Sequence, residues 1–143
     1  MFKIFIRMLS VVALLSGCAQ FGPSPAAMQA VRIEGTPGMA VVYLVRTRPD
    51  VSYLTAPLMV DDRPVGATYA GTYMRFELPP GRHVIRGYAQ DNGTIAMNLQ
   101  ADRVYFVQQA VLGSWRVTSP LSSFTVIDEN RARAAMVGAS RAG

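Results

Sequence analysis

The chain has 143 residues, half of them hydrophobic, with 14 basic and 9 acidic side chains and a formal net charge of +5. One cysteine excludes intramolecular disulfides and thiolate metal sites. The modest positive excess is spread along the chain, whereas nucleic-acid binders gather their cations on one face or in runs, so no nucleic-acid partner is expected.

The first element is a secretory signal. Lys3 and Arg7 form its positive end, Met8 to Leu15 its apolar run, and Leu15-Ser16-Gly17-Cys18 its close. The apolar run is far shorter than the roughly 20 residues a membrane span requires. The four closing residues resemble a lipobox, and by that resemblance residues 1–17 are a lipoprotein signal peptide and Cys18 is the lipidation site. Ordinary cleavage after Ala19 would strand the lone cysteine in the discarded peptide. Cleavage before Cys18 leaves 126 residues, enough for one domain with a real core. The mature chain carries 12 arginines against 9 carboxylates and has no lysine. Ala19 stands where lipoproteins retained in the inner membrane typically carry aspartate, so the resemblance implies export to the outer membrane, and the anchored domain is expected to face the periplasm.

Residues 18–38 contain Pro23, Pro25 and Pro37 and no sustained period, which predicts a flexible tether after the lipidated cysteine. As a coil it would span about 25 Å. Val31-Arg32-Ile33 is a candidate short edge strand within it.

Residues 39–127 read as an all-β domain of short strands and turns. Ala40 to Val45 is almost wholly apolar and suits a strand covered on both faces. Leu58 to Val60 turns at Asp61-Asp62 and returns through Pro64 to Tyr69. Tyr73 to Leu78 alternates, with Met74, Phe76 and Leu78 on a core face and Tyr73, Arg75 and Glu77 opposite. Pro79-Pro80-Gly81-Arg82 fits a type II turn into a strand from His83 to Ala89. Asn92-Gly93 signals a hairpin to Thr94 to Leu99. Val104 to Leu112 and Phe124 to Ile127 complete the strands. In residues 128–143, Asp128 caps a short helix through Val137 that ends at Gly138, with a disordered tail as the alternative. The expected architecture is a small immunoglobulin/PEGA-like β-sandwich.

Met59-Val60-Asp61-Asp62-Arg63-Pro64-Val65-Gly66, Gly71-Thr72-Tyr73, Leu78-Pro79-Pro80-Gly81-Arg82-His83 and the upstream Val42 to Arg46 resemble a bacterial lipoprotein family with a PEGA-like β-sandwich. The likeness covers residues 38 to 112 and departs from the pattern at Asp62, where glycine is common. It implies the fold and brings no activity.

No catalytic constellation is visible. His83 is the sole histidine and lacks a cysteine or carboxylate cluster at ligand spacing, so neither a metal site, a cofactor nor a catalytic residue is expected. Arg46, Arg48, Tyr53, Tyr73, Arg75 and Arg86 are the candidate binding residues, since arginine and tyrosine are enriched in interfaces. The expected function is a lipid-anchored, non-catalytic binding or assembly module at the outer membrane. Its expected partners are the membrane, through Cys18, and an envelope protein. A peptidoglycan or glycan binder is the alternative, and an envelope hydrolase the third reading.

Overall fold

A computed structural model describes residues 22–47, 54–88, 93–112 and 121–142. A short helix, α1 (Pro25–Gln29), opens the described chain, with the Ala27 N–H donating to the Ser24 hydroxyl at 3.2 Å and proline in the first turn. Strands β1 (Ala40–Arg46), β2 (Ala56–Val60), β3 (Arg63–Thr68), β4 (Thr72–Leu78), β5 (Gly81–Gly87), β6 (Thr94–Leu99), β7 (Arg103–Leu112) and β8 (Leu121–Val126) follow. Helix α2 (Glu129–Met136) and a two-residue strand, β9 (Ser140–Arg141), complete the order.

The strands form two sheets, a five-stranded one ordered β8-β7-β1-β4-β9 and a four-stranded one ordered β3-β2-β5-β6. This is the expected all-β sandwich with a short C-terminal helix. Strand β1 is central, antiparallel to β4 and parallel to β7. Its inward residues Ala40, Val42 and Leu44 meet Leu58, Val60 and Ile85 from the facing sheet, with Met74, Met97, Leu99 and Val107 closing the core.

Every residue of β1 is buried, because its other face is covered too. Val41, Tyr43 and Val45 join Phe106 beneath Ile127, Ala132 and Met136 of the α2 region, and Val31 and Ile33 of the N-terminal segment pack against the same cluster. A fully buried Val- or Leu-sized side chain contributes about 1.5–3 kcal/mol, so this cover is a second core, not a loose flap. It also alters the reading of residues 18–38. From Met28 onward the segment expected as a tether is held to the fold, with Arg133 Nη1 donating to the Met28 and Val31 carbonyls, while Gly22 to Ala26 are exposed. Val31 to Ile33 is not a strand there, because its apolar side chains turn onto the sheet face while its backbone pairs with no strand.

Two turns carry the connections. Asp61 and Asp62 both have positive φ, 49° and 62°, between the paired Val60 and Arg63, the signature of a type I′ hairpin built without glycine. The Pro79-Pro80 step does not close a hairpin, since β4 and β5 belong to different sheets. The prolines carry the chain from one layer to the other, and Gly81 at φ 140° begins the new strand. Strands β5 and β6 pair as expected, although the turn residues 89–92 lie outside the described residues. Asp128 caps α2 by accepting the Arg131 N–H at 2.9 Å, and Gly138 ends it at φ 73°. Strand β9 then docks on β4, with the Ser140 N–H donating to the Gly71 carbonyl at 3.1 Å.

Candidate functional site

The structure disperses the arginines and tyrosines that residue type had grouped. Arg46 is fully buried at the end of β1, where its Nη1 donates to the Leu54 and Thr68 carbonyls, both at 2.9 Å. It is a structural cation, not a surface contact. Nearby, the Thr68 hydroxyl donates to Gln109 Oε1 at 2.6 Å and Gln109 Nε2 donates to the Ser122 hydroxyl at 2.8 Å, a buried polar path from one sheet to the other.

Tyr73 and Arg75 project from β4 onto the covered face. Arg75 is fixed there by Glu77 at 2.5 Å and by the Thr36 hydroxyl at 2.8 Å, with its guanidinium carbon 6.0 Å from the Tyr43 ring centroid. The Arg75 hydrogen bond, then that from Thr36, holds the Glu77 carboxyl below its ordinary range. The Tyr43 ring lies 6.2 Å from Tyr73 and 5.9 Å from Phe106, and its hydroxyl accepts the Glu34 N–H at 2.9 Å. The alternation in β4 reads as a polar solvent face, but the N-terminal segment supplies partners for that polarity and partly covers Tyr73 and Arg75, while Glu77 stays exposed.

Arg86 sits on the other sheet, paired with Asp62 at 2.9 Å. Arg46, Tyr73, Arg75 and Arg86 therefore do not form one face. Arg48, Tyr53 and Cys18 lie outside the described residues.

A different grouping emerges where the sandwich opens between Leu78 and the β2–β3 turn. An open groove of about 460 Å³ is lined by Val60, Val65, Leu78 and Pro79, with Asp61, Arg63 and His83 among its polar members. The register creates it. Val60 pairs with Ile85, so the following residue, Asp61, comes level with Val84, next to His83. Asp61 Oδ1 accepts the Val84 N–H at 2.9 Å, the Asp61 N–H donates to the Val84 carbonyl at 2.9 Å, and Asp61 Oδ2 lies 2.6 Å from His83 Nδ1. His83 Nε2 lies 2.8 Å from the Pro79 carbonyl.

The His83 hydrogen bond, foremost, and the Val84 N–H lower the Asp61 pKa below its ordinary value. Both ring nitrogens are committed to protein oxygens, so the arrangement fastens two turns to one strand and leaves no nitrogen directed at a substrate. Sequence order hides this pairing, because 22 residues separate the partners and only the β2–β5 register brings them together. Among the described residues, no group of three His, Cys, Asp or Glu side chains could hold a metal ion.

The fold and this groove define a two-sheet β-sandwich with a helical cover and an apolar cleft at one end. No protein-family model matches the chain, and no curated protein matches it in sequence.

Proposed function

We propose that this protein is a lipoprotein anchored in the outer membrane through Cys18, whose sandwich serves as a non-catalytic binding or assembly module. The sequence Leu15-Ser16-Gly17-Cys18 behind a short apolar run supports the anchor. The observation that carries the non-catalytic reading is the double engagement of His83, which ties the chain's sole histidine to Asp61 and Pro79. The resemblance to a lipoprotein family with a PEGA-like sandwich belongs to the same reading and is supported by the two-sheet architecture.

The test compares the wild type with Cys18→Ala. The wild type incorporates labelled palmitate and fractionates with outer membranes, and the variant does neither. A wild type that is unlabelled and soluble overturns the anchor. Affinity capture from gently solubilised envelopes then tests the module: a partner recovered at near-equal amount with the lipidated form, and absent with Cys18→Ala, marks an assembly component.

A further inference from the structure

We propose that the groove between Leu78 and the β2–β3 turn binds a straight-chain fatty acid, its acyl chain against the apolar lining and its carboxylate on Arg63. This ligand class rests on the reading of the protein as a non-catalytic binding module.

Register places the cation. Val60 and Arg63 are directly paired across the β2–β3 turn, and paired residues share one face of their sheet. Val60 belongs to the core between the sheets, so Arg63 leaves the edge strand on the inner side, at the mouth of the sandwich. There it lines the groove beside Val60, Val65, Leu78 and Pro79. The carboxylates of the turn are already engaged, Asp61 by His83 at 2.6 Å and Asp62 by Arg86 at 2.9 Å. The second oxygen of Asp61 accepts the Val84 N–H, and Arg63 acts on this carboxylate only through space. Among the described residues the exposed Arg63 guanidinium has no hydrogen bond or ion pair.

The remaining chemistry of the groove suits a hydrocarbon chain better than a peptide. A peptide brings backbone N–H and C=O groups that need partners. Both oxygens of Asp61 and both ring nitrogens of His83 are taken. Strand addition along β3 is interrupted by Pro64, which has no N–H, and by the bulge opposite Leu58 and Met59. An acyl chain requires none of these groups. The volume of about 460 Å³ falls within the range of small-molecule sites. At the polar end, one guanidinium meets one planar carboxylate through two parallel hydrogen bonds. Its single charge matches a carboxylate, whereas a phosphate monoester carries nearly two.

The experiment uses residues 18–143 with Cys18→Ala, which keeps every described residue and leaves no lipid of the protein's own to compete. Calorimetric titration near neutral pH with hexanoate, octanoate and decanoate, each below its micelle concentration, shows one-to-one binding. Affinity rises about twofold per added methylene, because an open groove covers only part of each. Octylamine binds about fivefold more weakly than octanoate. Arg63→Gln removes that preference and Arg63→Glu reverses it, with unchanged thermal midpoints showing that both variants fold. In assigned amide NMR spectra, octanoate shifts Val60, Val65, Leu78 and His83. Absence of octanoate binding, equal binding of octylamine, binding indifferent to position 63, or shifts that map elsewhere overturns the fatty-acid site. A partner captured from envelopes under any of those outcomes keeps the binding-module reading. Octanoate returned chemically altered overturns the non-catalytic reading instead, so the two failures are distinguishable.

Discussion

The carboxylate of Asp61 lies 2.6 Å from Nδ1 of His83 and binds the Val84 N–H through its other oxygen, fastening the β2–β3 turn to β5. Because that turn and the Pro79 carbonyl share His83, one imidazole sets the rim of the groove from both sides.

This pairing predicts an acid limb in the stability. Asp61 titrates below its ordinary value in the folded state, chiefly through His83 and then Val84. A depressed folded-state pKa stabilises the fold fully above the unfolded value, about pH 4, and the contribution is lost as pH falls through the folded value. Asp61→Asn tolerates the same left-handed backbone but loses the charge. Thermal midpoints measured from about pH 2.5 to 6 should show a weaker acid dependence in the variant and a midpoint lower by about 4 °C at pH 6. Superimposable acid limbs would remove Asp61 from the account.

Arg46 and Arg86 should behave oppositely on truncation. Arg46→Ala strips charged hydrogen bonds from two carbonyls at a fully buried site and should cost about 3 kcal/mol in urea unfolding. Arg86→Ala removes a solvent-accessible ion pair with Asp62 and should cost under about 1 kcal/mol.

Thr68 and Gln109 should be energetically coupled. Gln109→Leu leaves the Thr68 hydroxyl without its 2.6 Å acceptor in the interior and should cost about 2 kcal/mol. Thr68→Val removes the same bond from the other side. The double variant should then fall short of the sum of the two by roughly 1 kcal/mol, as a double-mutant cycle would show. Strict additivity would mean that the bond contributes nothing.

Gly93 and Gly66 test two kinds of glycine requirement. A Cβ on Gly93 would stand 2.5 Å from the Ser122 carbonyl oxygen, where β6 begins beside β8, and backbone must shift to admit it. Gly93→Ala should cost about 2–3 kcal/mol by unfolding titration. At Gly66 the clash is with the flexible end of Met74, and the cost of alanine arises from φ 132°. Gly66→Ala should be the milder of the two, near 1 kcal/mol.

Local chemistry in the chain determined a good deal of this molecule. The unbroken apolar run of Ala40 to Val45 announced a strand buried on both faces, and all of β1 is buried. The alternation of Met74, Phe76 and Leu78 marked the core side of β4. Asp61-Asp62 marked a turn and Asp128 a helix cap, because each depends on residues within a few positions of itself. What covers the far face of the five-stranded sheet was not legible. Residues 22–38 are rich in proline and small side chains, and nothing local shows that Val31 and Ile33 find Tyr43 and Phe106. Their packing turns Tyr73 and Arg75 from candidate contacts into partly buried structure.

The division has one physical source. Turn preference, strand alternation and capping are short-range, set by backbone sterics and by hydrogen bonds within a few residues, so sequence alone determined most of the sandwich strands, the helix after Asp128 and the sandwich class. Which sheet receives each strand, where Asp61 meets His83, and which arginine loses its water are long-range matters of register and layer order. Only the tertiary structure decided them, since burial against a distant segment, not residue type, sets whether Arg46 is a contact or a core cation.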